Sequence, residues 1–350
     1  MNYLTSLRGL AAFLVVFYHV SHHLKYYIGG VAFDVIANGY LAVDFFFVLS
    51  GYILAYKYHG NFEKINWVTY QGFIAKRIAR IYPLHLFVLL CFVADPLAHI
   101  LTGRPVDLVR FSVEGFVSKL FLVDSWWLGY HFTWNVPSWS ISAEFFSYLL
   151  FPLLAYLACR MTHRAIFVCG FVCVFLIAFI FHQFQFDNIG AGIGELAVIR
   201  CLFEFIIGMV GYITISKGRI IIGNQALTLF VLSVFSFVML SFSKIANYFY
   251  APILFAAVIV SLPGFYGAIH RVLENRYLVY LGEISYSIYM VHYFIRDMLT
   301  MLFLDNDEVA SPAWLLTYVA ITLGFSMFTY HFIEVRARKK ITGLVVRAFA

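Results

Sequence analysis

Apolar stretches of about 20 residues, each long enough to span the roughly 30 Å hydrocarbon core of a bilayer, recur along the whole of this 350-residue sequence. Hydrophobic residues make up 63% of the chain and charged residues 12%. Soluble domains carry about 25% charge, so lipid must face much of this surface. Backbone polar groups in lipid have to be satisfied within the segment itself, which makes each span a helix. The expected fold is therefore all-α: a polytopic transmembrane helix bundle of about ten spans, at 7–26, 38–57, 81–101, 138–158, 165–183, 196–215, 226–242, 248–266, 277–303 and 314–333. The first apolar run follows Arg8, has no small-residue cleavage site and leads directly into another span, so it reads as a membrane helix and not as a cleaved leader. One transmembrane domain over residues 1–350, with no appended soluble domain, is the expected organisation. The stretch 102–137, aromatic and only partly apolar, is expected to hold an interfacial or re-entrant piece.

Lysine and arginine set the orientation. With a cytoplasmic N-terminus, the inside loops and tail carry sixteen of them, Arg219 and Arg347 included. The outside loops carry five: Lys25, Arg104, Arg110, Lys119 and Lys244. Both termini are thus expected to be cytoplasmic, and the net charge of +6 fits the positive-inside rule better than nucleic-acid binding. The five cysteines lie in or beside apolar stretches and read as small hydrophobes.

Ionisable groups inside spans are costly and mark functional sites or buried pairs. Arg8 and His19 stand eleven residues apart, which on a helix is three turns plus roughly 20°, so they share a face about 16 Å apart. With Thr5 or Ser6 as N-cap, Arg8 lies in the first turn and His19 near mid-membrane. An arginine at a helix N-terminus attracts phosphate, and an imidazole deeper in the bilayer handles protons. A long ligand with phosphates at one end and a reactive carbonyl at the other has that layout; a snorkelling anchor is the plainer reading of Arg8. His22 and His23 follow His19, but no carboxylate or cysteine joins them locally, and no metal site is expected.

Asp44, among Val43 and Phe45–Phe47, needs a cationic partner from another span, either as a structural ion pair or as an orienter of a site. Ser50-Gly51 marks a close helix crossing. In Asn135–Glu144, Pro137 suits a helix start on the outer side, with Trp139 and Ser140 near the mouth and Glu144 about two turns in. Glu144 could act as acid or base, hold a hydroxyl, or pair with a membrane arginine. Arg200 and Glu204 are spaced to compensate each other. Glu283, Ser285, Tyr286, Tyr289, His292 and Arg296 form a polar stripe on a late span. Lys76-Arg77-x-x-Arg80 opens the third span, as an anchor or as phosphate ligands. The aromatic cluster 126–139, with Trp126, Trp127 and Trp134, is either an interfacial belt or a sugar-stacking platform.

Taken in order, these segments resemble the acyltransferase family 3 membrane proteins, which O-acylate bacterial polysaccharides and related carbohydrates. Arg8, ten residues and His19 resemble the family's opening motif. Gly39 to Gly51 is similar to its Gly-Val-Asp-x-Phe-Phe-x-x-Ser-Gly segment, with Leu41-Ala42 before Val43 where glycine is usual. Lys76-Arg77-x-x-Arg80-x-x-Pro83 resembles its basic loop, Ser138–Glu144 its Trp-Ser-Leu-x-x-Glu segment, and Leu281–His292 its late span. Phe332-Ile-Glu334 is similar to its closing motif, with Arg336 where proline is usual.

The resemblance implies an acyl-CoA donor substrate, with acetyl-CoA the expected one, and no tightly bound cofactor. Arg8, Arg77 and Arg80 would take the donor's phosphates on the cytoplasmic side. His19 would act as general base or as the acyl carrier itself, with Asp44 or Glu144 orienting it or the acceptor. Trp139, Ser140 and His292 are the expected contacts of a carbohydrate or lipid-linked glycan. The expected location is the bacterial cytoplasmic (inner) membrane, multi-pass. The rival reading is a transporter or flippase for a lipid-linked sugar, because buried Arg, Glu and His also mark transport pathways.

Overall fold

A computed structural model describes the chain except residues 127–128, 131, 218–221, 244, 305–307 and 350, together with the side chains of Lys217 and of residues 345–349. Trp127, Arg219 and Lys244, and the Lys217 and Arg347 side chains, named or counted above, therefore lie outside the described residues. Among these residues every regular element is helical. The longer helices are α1 (Asn2–Tyr18), α2 (Ala42–Tyr58), α3 (Trp67–Cys91), α4 (Ser138–Arg160), α5 (His163–Gln183), α6 (Ala197–Lys217), α7 (Asn224–Ser241), α8 (Ala251–Ser261), α9 (Ser285–Phe303), α10 (Pro312–Thr329) and α11 (Val335–Phe349).

Seven helical segments among the described residues are long and apolar enough to cross a membrane, and they match seven of the ten expected spans. The other three are shorter or broken. The expected span 7–26 is α1, which starts at Asn2 and ends at Tyr18, followed after a break by a one-turn helix at Ser21–Leu24. The early start places Arg8 in the second turn. The Ser6 hydroxyl donates to the Leu273 carbonyl, so it caps nothing, and His19 stands at the helix's C-terminal end, not midway along it. The span 248–266 contains the 11-residue α8, and 277–303 divides at Ile284 into Arg276–Glu283 and α9.

The third span also differs from expectation. Asn66 caps α3 by accepting from the Val68 N–H at 2.8 Å, so Lys76, Arg77, Arg80 and Pro83 lie inside a helix and do not open one. Stretch 102–137 does hold an extra piece, the short helix Val113–Leu120, capped by Ser112. It is pinned by Lys119, wholly buried, whose Nζ donates to Asp124 at 2.7 Å and Ser138 at 3.0 Å. Lys119, counted above as a loop cation, is thus half of an interior ion pair.

The centre of the bundle is the crossing of α2 and α6. A Cβ on Gly51 would lie 1.9 Å from the Phe205 carbonyl oxygen, and one on Gly208 1.8 Å from that of Val48. Only glycine permits backbones this close, and small residues are what bring membrane helices together when lipid and core are equally apolar. A second crossing joins α1 to Arg276–Glu283, where a Cβ on Gly282 would meet the Thr5 carbonyl oxygen at 1.8 Å. Around this centre α6 also packs on α4 and α5, α1 on α9, α9 on α10, and α11 on α3. The rings of Phe167, Phe171, Phe175 and Phe179 on α5, and of Phe235 on α7, point outward, as lipid-facing helices require.

Candidate active site

Two cavities enter the bundle from opposite ends. The first, about 460 Å³, is lined by Arg8 near the start of α1, Lys57 and Tyr58 at the end of α2, Lys76, Arg77 and Arg80 of α3, and Arg338 of α11. These are the ends that the positive-inside count assigns to the cytoplasm. The Arg8 Nη2 donates to Ser285 at 3.1 Å. Arg77 donates to the Tyr58 hydroxyl at 3.3 Å and lies within 6.0 Å of the Tyr148 ring. Arg80 is paired with Glu334, which also accepts from Ser287 at 3.1 Å and stands 3.9 Å from Arg338. Glu334, where α10 runs into α11, thus ties that segment to α3 and α9. Arg8, Lys57, Lys76 and Arg77 have no ion-pair partner among the described residues, and unpaired cations grouped in this way have the chemistry to hold an anion.

Glu144 lines this same inner cavity, together with Ser50 and Tyr148. Ser140 lines it too, its hydroxyl 2.7 Å from that of Tyr289.

The second cavity, about 590 Å³, opens at the other end and is lined by Tyr18 and His19 at the end of α1, Tyr40 before α2, Pro137 and Trp139 at the start of α4, Asn188, Gly190, Ala191 and Ile193, and Arg200 at the start of α6. His19 packs against His292 with ring centroids 5.1 Å apart and against the edge of Tyr293 at 5.2 Å. His292 is fully buried, and its Nδ1 lies 2.7 Å from the Tyr289 carbonyl oxygen and 3.2 Å from that of Ile288. A carbonyl only accepts, so Nδ1 carries the hydrogen and Nε2 presents a lone pair. Nε2 has no hydrogen-bond partner among the described residues.

Val43 and Tyr289 belong to the walls of both cavities. Those two side chains are therefore the partition between a basic chamber and an aromatic one.

Placed on this frame, the residues singled out in the sequence divide. Arg8, Arg77, Arg80, Glu144 and Ser140 share the inner cavity, and His19 and Trp139 the outer one. Trp139 and Ser140, adjacent in sequence, face opposite chambers. His292 lies behind His19, not in a cavity wall. Asp44 lines neither cavity: it is 0% exposed, and both oxygens accept from Arg200, at 2.6 and 2.7 Å. The partner of Arg200 is thus Asp44 on the neighbouring helix, not Glu204 one turn on.

Most of the aromatic cluster is structural. Trp126 donates to the Ser142 carbonyl at 3.0 Å and Trp134 to that of Ser112 at 2.8 Å, so both indole N–H groups are used internally. His23 accepts from the Ala310 N–H at 3.2 Å and packs on Trp314. Sequence reasoning did not assign site roles to Lys57, Tyr40, Tyr289 or Arg200. Lys57 entered the sequence reading only as one of the cytoplasmic-side cations, Tyr289 as part of a polar stripe and Arg200 as an in-span charge.

O-acetyltransferase OatA of Staphylococcus aureus is 24% identical over 97% of this chain and 58% of its own length, so the chain spans somewhat over half of that relative. Acyltransferase MdmB of Streptomyces mycarofaciens is 28% identical over 83% of this chain and 78% of its own. No solved structure matches. The profile of the acyltransferase domain matches residues 1–331, and the chain, a multi-pass membrane protein, belongs to acyltransferase family 3.

Proposed function

We propose that the protein is a membrane O-acyltransferase that moves an acyl group, acetyl in the first instance, from acyl-CoA to a hydroxyl of a carbohydrate. The observation that carries this reading is the pair of cavities entering from opposite ends and sharing a partition, one basic and one aromatic. Acyl-CoA enters the basic chamber from the cytoplasm with its phosphates among Arg8, Arg77 and Arg80. Its thioester is threaded toward Val43 and Tyr289. The acceptor, a glycan or glycolipid, enters the aromatic chamber from the outer side.

His19 removes the proton of the acceptor hydroxyl, whose oxygen attacks the thioester carbonyl. The C–S bond breaks, and the proton passes from His19 to the departing CoA thiolate. Glu144, on the donor side, positions the donor in this scheme and does not touch His19. Neither substrate has to cross the bilayer. The protein would sit in the bacterial cytoplasmic membrane with both termini inside. The relatives are named for acyl transfer, and no observation favours the transporter reading.

The test is radiolabelled acetyl-CoA with purified protein in nanodiscs. Label released to water or to a glycoside by the wild type, and lost in His19→Ala, is the expected result. Folded wild-type protein that neither binds nor turns over acetyl-CoA would overturn the proposal. Unchanged donor affinity in Arg8→Ala would refute the phosphate assignment alone.

A further inference from the structure

The ion pair between α2 and α6 leaves one edge of its guanidinium unused. Arg200 gives Nε and Nη2 to the two oxygens of Asp44, the fork-to-fork geometry that fixes an arginine most rigidly. Its remaining nitrogen, Nη1, has no hydrogen-bond partner among the described residues, although the side chain is 1% exposed. Arg200 lines the outer cavity beside Trp139, whose ring lies 5.5 Å from the guanidinium carbon. A buried donor left unmade is costly, and a membrane helix has no need of it for packing. A rigid, unspent donor in the wall of a cavity is what a ligand oxygen requires.

The surroundings identify the kind of oxygen. Asp44 already balances the arginine's charge, and Glu204, also buried, lies one turn along α6. A carboxylate or phosphate arriving at Nη1 would find the guanidinium's charge already spent on Asp44. A neutral hydroxyl or ring oxygen meets no such opposition. The other walls include the side chains of Tyr18, Tyr40, Trp139 and Tyr293, aromatic rings of the kind on which the C–H side of a sugar ring packs.

We propose that Arg200, held by Asp44, is a specificity-determining donor that selects an uncharged sugar ring in the outer cavity. Asp44 is then a positioning residue. The inference rests on the reading of that cavity as the acceptor chamber, and it adds the chemical class of the acceptor.

The experiment uses the full chain in nanodiscs with two probes of the same ring, methyl β-glucoside and the corresponding methyl glucuronide. Binding is followed by intrinsic tryptophan fluorescence without acetyl-CoA, and transfer by label from acetyl-CoA. The expected result is a wild-type preference for the glucoside, with Arg200→Lys raising its KM ten- to a hundredfold while acetyl-CoA affinity stays within twofold. Asp44→Asn, which keeps the shape of the pair, shifts glucoside KM in the same direction by a smaller factor. Equal glucoside KM in the wild type and both variants would overturn the proposal. So would preference for the glucuronide, or wild type that neither binds nor acylates either probe. Glucoside binding that depends on Arg200 in a protein inert toward acetyl-CoA would sustain this site and overturn the acyl-transfer reading instead.

Discussion

Substituting Gly208 by alanine tests how much of the bundle depends on one close approach. The added Cβ would sit 1.8 Å from the Val48 carbonyl oxygen, where ordinary contact begins at 3.4 Å, so α2 and α6 must part by about 1.6 Å at that point. The obstruction is backbone, and no rotamer change relieves it. Overpacking of this kind costs about 1–3 kcal/mol. The same separation reaches the Asp44–Arg200 bonds, which lie one turn from Val48 and two turns from Gly208. Bonds of 2.6 and 2.7 Å stretched by most of that distance are broken, and disrupting a buried pair costs about 3–5 kcal/mol. Partial relaxation leaves an expected loss of ~3–6 kcal/mol, or two to four powers of ten in the unfolding equilibrium.

The assay is reversible unfolding in mixed dodecylmaltoside and SDS micelles, followed by helical ellipticity. Gly324→Ala is the control. It lies inside α10 with nothing within 4 Å of its Cβ, and helix propensity predicts a gain of up to about 1 kcal/mol. If Gly208→Ala proved as stable as Gly324→Ala, the close packing of α2 on α6 and the account of the buried pair would both be wrong.

Further outcomes follow from the same geometry. His19→Gln should lower turnover by about 10²–10⁴, the usual worth of a general base, while leaving acetyl-CoA affinity unchanged; full turnover would remove His19 from the chemistry. Arg77→Gln should raise the acetyl-CoA KM about tenfold and flatten its dependence on ionic strength, since partly exposed cations attract phosphates through a screened field; an identical salt profile in the variant would count against it. Lys119→Met should cost ~3–5 kcal/mol by stranding Asp124, and adding Asp124→Leu should recover most of that loss, read in the same unfolding assay. Trp126→Phe, which deletes an internal hydrogen bond, should lose about 1 kcal/mol with acceptor KM unaltered; a raised KM would return Trp126 to the acceptor site.

The class of the fold and the identity of the polar residues are legible in the sequence. Long apolar runs in a chain this poor in charge permit little except membrane helices, and that constraint is local, readable one segment at a time. The same holds for the ordered motifs around Arg8, His19, Asp44, Glu144 and His292: each is a short spacing that survives without knowledge of the rest. Three-dimensional arrangement was not legible. Arg80 and Glu334 are 254 positions apart, and Asp44 and Arg200 156. His19 and Glu144 look like partners in sequence, yet they line different chambers. The reason is physical. In a water-soluble helix the apolar stripe reports which face turns inward. Here lipid and core both favour apolar side chains, so periodicity carries almost no information about rotation. That rotation was decided by backbone contacts at Gly51, Gly208 and Gly282 and by a handful of buried hydrogen bonds, which exist only once the helices have met.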